Sequence, residues 1–221
     1  MNRQYAPRDA VSRRPRDIYG RTIMCLDTMS STPHSTSGAD PSTLRSVGSG
    51  GVAGLGAALF GYLVTYLLSS STIENSTASQ VLEALGSDIS TWKVVGWVFM
   101  SAHGVTTRFP GLFGTTSSAN LIENVEAFSP VLYVVPVVAL LAAGALAAVV
   151  SGASSPQEGA LAGAGTTVGY LVFALAGIAL FTVSVGDAAI SPDPVTSALL
   201  AGVAYPAVLG TVGGVAATAL R

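Results

Sequence analysis

The chain has 221 residues, half of them apolar and only 10% charged, with a formal net charge of −2. A soluble domain carries about 25% charged residues, so a purely aqueous surface is excluded, and no nucleic-acid partner is expected. The single Cys25 excludes an internal disulfide and a multi-cysteine metal site.

Residues 1–46 are expected to be a disordered tail ahead of a membrane domain at 47–221. Residues 1–28 hold six of the nine arginines, the only cysteine and no hydrophobic period. Met29 then opens a Ser/Thr/Pro-rich leader. The first 28 residues read in three ways. They are a basic arm drawn to anionic lipid or nucleic acid, a tail without a role, or upstream sequence translated from a start assigned too early. A secretory signal is disfavoured because 18–29 has no apolar core of the needed length.

Four uncharged apolar stretches follow: Val47–Leu68, Val131–Val150, Ala160–Val185 and Val195–Leu220. Each meets the roughly 20 residues needed to cross a bilayer. The expected fold is therefore an all-α integral membrane protein of four transmembrane helices. The first begins in a glycine cluster in which Gly50 and Gly54 share a face. Small residues four apart let helix backbones approach in lipid. Tyr62 and Tyr66, towards its far end, suit the interfacial belt. Just past it, Asn75-Ser-Thr77 is an N-glycosylation sequon.

The long loop at 69–129 carries the most distinctive stretch, Trp92 to Val105. It holds both tryptophans, the only lysine, Lys93, and His103, with Arg108 shortly after. Its apolar core, Val94–Ala102, is short for a span. Three alternatives stand: an interfacial helix, a re-entrant segment and a short fifth span. Charge placement favours the first two, with Trp92 and Trp97 at headgroup depth. His103 reads as a surface anchor or, next to Glu74, Glu83 or Asp88, as a pH switch with a raised pKa. It lacks the companions a metal site requires, so no cofactor is expected. Lys93 and Arg108 are expected to meet lipid phosphates or loop acids.

The second span opens on Ser129–Pro130. Pro136, about a turn further in, is expected to bend the helix. A short connection makes the second and third spans an antiparallel hairpin. Gly159 and Gly163, Gly165 and Gly169, and Gly210 and Gly214 read as helix-packing pairs, with a homodimer face as the alternative. Pro206 removes the N–H that would address the Gly202 carbonyl and is expected to kink the fourth span.

With four spans, the Arg-rich start and Arg221 share one side and the acid-rich loop lies on the other. The positive-inside rule then places both termini in the cytoplasm of a cell-membrane protein. The stretch from Val94 through Gly96-Trp97 to Ala102-His103 resembles a segment of uncharacterised multi-pass membrane proteins of haloarchaea, as does the proline spacing that starts the second span. That resemblance covers about residues 45–221 and implies a polytopic membrane protein of a halophile, without a known activity. Ser101 and Met100 stand where the family pattern suggests Asn and Tyr, which puts a polar role there in doubt. Ala/Val/Gly-rich spans and acidic loops agree with such a source.

Uncharged spans lack the residues that mark a proton relay or an ion path. No catalytic residues are assigned, and an enzyme is not expected. Two functions remain: a structural or accessory membrane component, and a small passive transporter or channel for a neutral solute. The expected partners are the lipid bilayer, a second copy and an unknown membrane protein. Polar residues facing one another around Pro136, Thr166, Thr167 and Pro206 would favour transport.

Overall fold

The computed structural model describes residues 41–75, 89–111, 115–186 and 188–220. The expected disorder of 1–40, the sequon partners Ser76 and Thr77, and the acids Glu83 and Asp88 lie outside these residues. Four of the described helical segments are long and apolar enough to cross a membrane: Thr43–Glu74, Pro130–Ser151, Pro156–Leu180 and Pro194–Ala219. They are called the first to fourth spans below.

Helix α1 runs over Pro41–Glu74. It starts six residues before the expected span, so 41–46 is helix and not tail. Pro41 suits a first turn, where a missing N–H costs nothing. At 1.5 Å per residue its 34 residues cover about 51 Å, more than the roughly 30 Å of a hydrocarbon core. The surplus at its far end is covered by the loop, where Ser69 and Ile73 are buried.

The first span lies against the second and third, and the fourth closes the ring against the same two. Contacts order them end to end. Arg45 reaches the carbonyl of Val150, and Gly159 lies against Gly214. At the other end Tyr62 stacks on Phe181. The starts of the first and third spans and the ends of the second and fourth thus share one end of the bundle. The interior is filled by Ala58, Phe99, Leu140, Ala143 and Tyr170.

The expectation of a purely helical domain is corrected by a small sheet. Strands β1 (Thr107–Pro110) and β2 (Thr116–Ala119) come from the long loop; β3 (Val183–Val185) and β4 (Ala188–Pro192) join the third and fourth spans. The order is β2-β1-β4-β3, with β1 antiparallel to β4 through Thr107 opposite Pro192 and Arg108 opposite Ser191. The third span therefore ends at Leu180, not Val185. Thr182 donates to the Ile178 carbonyl at that end, and Val183–Val185, bounded by Gly186 in the left-handed region (φ 59°), turns back as a hairpin.

Because β1 and β2 pair with the connection that follows the third span, and the third span is parallel to the first, the segment between α1 and β1 returns to the end where α1 leaves. Helix α2 (Thr91–Ser101) is not a fifth span. Nor does it lie on a surface. Every residue from Val95 to His103 is buried, whereas an interfacial helix would keep one polar face wet. It is inserted among the spans instead, with Phe99 against Gly61 and Gly96 against the Phe181 ring.

The two expected kinks resolve differently. Pro136 is buried in the first turn of Val134–Ser151, just after a 3₁₀ turn at Pro130–Tyr133. Pro206 sits in a fourth span wound as π-helix over Ser197–Ala204 and Pro206–Gly210. The Tyr205 N–H donates to Leu200, five residues back. In that register the carbonyl of Gly202 faces residue 207 and no longer depends on the proline.

Candidate functional site

His103 is a fully buried polar group of the loop. Its position follows from how α2 ends. Gly104, at φ 75°, adopts the left-handed conformation that closes a helix C-terminus. The N–H groups of His103 and Val105 both donate to the Met100 carbonyl. The turn leaves the imidazole inside the bundle, fully buried.

Both ring nitrogens are engaged. Nδ1 is 2.8 Å from the Phe99 carbonyl oxygen and Nε2 is 2.8 Å from the Tyr170 hydroxyl. A carbonyl can only accept, so Nδ1 carries the proton and donates. In the neutral ring Nε2 is then an acceptor, and the Tyr170 O–H donates to it. Burial pushes the His103 pKa down to about 4, opposed by the Phe99 carbonyl. The expected switch with a raised pKa is thereby corrected, because among the described residues the ring meets a tyrosine and a carbonyl and no carboxylate. Aromatic rings surround it: Phe99 at 4.9 Å, Tyr205 at 5.1 Å and Tyr170 at 5.5 Å between centroids.

Next to this centre stands Asn120, which ties α2 to the start of α3 (Leu121–Asn124). Its amide donates to the Ser101 carbonyl at 3.0 Å, and its Oδ1 accepts from Ile122 N–H and the Tyr133 hydroxyl. The Ser101 hydroxyl accepts from Leu121 N–H. Ser101 therefore has a polar role, which its departure from the family pattern had put in doubt. Asn120 was not singled out from sequence. Its only local signal was an N-cap before an apolar pair.

The other loop residues are tied to the protein. Trp97 is buried within the protein and donates Nε1–H to the Phe181 carbonyl at 2.7 Å, at the end of the third span. Trp92 remains exposed, and its carbonyl accepts from the Tyr62 hydroxyl at 2.8 Å. Lys93 donates to the Thr182 carbonyl at 2.9 Å and lies over the Trp92 ring. Arg108 pairs with Asp193. Burial raises the Asp193 pKa, but the Thr196 N–H and hydroxyl, with Arg108, hold it below the usual value. Asn75 follows α1, exposed, with its amide donating to the Ser71 carbonyl.

The eight packing glycines meet backbone. A side chain at Gly54 would overlap the Thr166 carbonyl, at Gly169 that of Gly51, and at Gly163 that of Gly210. Gly50 lies against Ala162 and Gly165, and Gly159 and Gly214 face each other. Gly210 also abuts the Thr166 hydroxyl. Gly144 against Gly210 and Gly213 against Leu141 make further close approaches, outside any four-residue pairing.

The arrangement defines a class: a helical bundle of four candidate spans, closed at one end by an inserted helix and a small sheet. Within that class the chain belongs to a family of unknown function, DUF7978, which matches residues 29–221. No curated protein and no solved structure matches the chain.

Proposed function

We propose that the protein is an integral membrane protein that acts through its packed body, as a structural or accessory component of a membrane assembly. The observation that carries this reading is the inserted segment: nine consecutive buried residues, Val95–His103, pack among the spans. A passive path needs a continuous polar or wetted lining. The hydroxyl of Thr166, a candidate lining group, donates to the Gly163 carbonyl at 2.7 Å and lies 3.2 Å from that of Pro206. Glycine contacts bring the first and third, third and fourth, and second and fourth spans into backbone contact.

The outward faces of the spans support a lipid surrounding. Val52, Leu59, Phe60, Leu63 and Leu67 of α1 are exposed, as are Val138, Leu146 and Val150 of the second span. A soluble monomer rarely leaves patches of this extent uncovered. The Arg-rich start places both ends of the chain in the cytoplasm and the sheet outside. Its partner is a second copy or another membrane protein, and its Ala/Val/Gly spans with acidic loops fit a salt-loving archaeon.

Reconstituted vesicles test the reading. Stopped-flow light scattering should give the same glycerol, urea and water permeability for protein-loaded and empty vesicles. A protein-dependent flux of any of these neutral molecules would overturn it and favour a passive path.

A further inference from the structure

We propose that the cleft between the first and second spans, at the end of the bundle where they begin and end respectively, binds an anionic phospholipid. Two adjoining spaces carry the inference. A cavity of about 570 Å³ opens at this end, with Thr43, Arg45, Ser46, Ser151, Ser154 and Glu158 in its wall. Immediately along the same helix pair lies an apolar groove of about 320 Å³, formed by Gly48, Val52, Ala53, Leu146, Ala147 and Val150. The polar space suits a headgroup and the groove suits an acyl chain.

Arg45 stands at their junction. Its Nη2 makes a long 3.4 Å contact to the carbonyl of Val150, a groove residue. Among the described residues the ion pair is that of Arg108 and Asp193, and Arg45 pairs with no carboxylate of those residues. A guanidinium with donors to spare matches a phosphate better than any other lipid group. Glu158 shares the cavity, but its carboxylate accepts from the Ser154 N–H at 2.7 Å and the Ser154 hydroxyl at 3.0 Å. Its charge is turned onto the N-terminus of the third span and leaves the Arg45 side of the cavity for an anion.

A free phosphate would need only the polar half. The groove makes the difference. The small side chains of Gly48, Ala53 and Ala147 leave the groove open, and a side chain placed at Gly48 would meet open space. A polar, cationic cavity that runs into an apolar groove on a lipid-facing helix pair has the two-part chemistry of a phospholipid. The proposal rests on reading the long helices as membrane spans, which is tested separately by carbonate extraction of native membranes. Release of the protein by carbonate would fail that reading whatever the lipid result.

The test is native mass spectrometry of the full-length protein in detergent, titrated with phosphatidylglycerol or phosphatidylcholine. Wild type should retain phosphatidylglycerol more tightly. Arg45→Gln should weaken it roughly ten-fold, the effect of losing a charged hydrogen bond, and weaken phosphatidylcholine, whose phosphate charge is offset by choline, by less; Arg45→Lys should fall between. Gly48→Trp should fill the groove and weaken both lipids, and Gly48→Leu serves if the larger side chain lowers the helical content. Equal retention of the two lipids by wild type, or an Arg45→Gln protein that binds as wild type does, would overturn the proposal. Displacement of the lipid by millimolar inorganic phosphate would make the cavity a free-anion site and overturn the lipid assignment.

Discussion

At the scale of single residues, His103 and the glycines carry opposite lessons about burial. The imidazole is buried and neutral, and stability depends on its staying so. Its folded pKa of about 4 lies below the usual value of 6.5, so between those values the unfolded chain binds the proton and the folded one does not. Stability is complete above about pH 6.5 and falls as pH drops towards 4, by on the order of 3 kcal/mol. Thermal unfolding in detergent followed across pH 4–7 should show this loss in wild type and a flatter profile in His103→Gln. Equal slopes would show that another group titrates. Tyr170→Phe at pH 7 should lower stability by about 1–3 kcal/mol, since it strands the Nε2 lone pair in the interior.

Glycines are needed where backbones touch. Gly54→Ala places a methyl group on the Thr166 carbonyl, and Gly56→Ala, on the same helix, meets nothing within 4 Å. The first should destabilise by about 1–3 kcal/mol through overpacking. The second should be neutral or slightly stabilising, because alanine is the better helix former. Melting temperatures of the two variants measured side by side decide it, and equal effects would remove the close approach as the reason.

At the scale of elements, Asp193 joins three parts of the fold. Its N–H donates to the Thr106 carbonyl, its carboxylate caps the fourth span through the Thr196 N–H, and it pairs with Arg108 of β1. Asp193→Ala should cost about 1–2 kcal/mol, mostly from the lost cap. Asp193→Asn keeps a capping oxygen and loses the ion pair, so it should cost less. Arg108 is partly exposed, and Arg108→Gln should have the smallest effect. Because the folded pKa of Asp193 is lowered, its contribution is present at neutral pH and disappears as pH falls below the usual carboxylate range. Thermal melts of the three variants at pH 7 should rank in that order, and a larger loss for Arg108→Gln than for Asp193→Ala would reverse the assignment.

At the scale of the whole molecule, the sheet and the inserted helix set the order of the four candidate spans. In a Cys25→Ser background, Ser117→Cys on β2 and Gln157→Cys in the first turn of the third span lie at opposite ends of the bundle, both exposed. An impermeant thiol reagent on intact cells should label residue 117 alone, and residue 157 only after lysis. The reverse pattern would invert the proposed orientation, and labelling of both from outside would contradict the four-span order.

The long apolar runs were legible in sequence because the requirement behind them is local. A span must bury its own backbone hydrogen bonds and present apolar side chains over a bilayer's thickness, and those demands are written in consecutive residues. The glycine pairs followed from the same logic of one helix face. The sheet was not legible: its strands hold three to five residues each, and β1 finds β4 more than 80 residues away. Trp97 and His103 carried no sign of their depth either. An amphipathic aromatic fits a headgroup region as well as a core, and a histidine suits water as well as a tyrosine partner. Only the packing of α2 between the spans brought Phe181 to one and Tyr170 to the other. Local composition thus determined that this chain has four membrane-length helices, while the pairing of distant segments decided what fills the space between them.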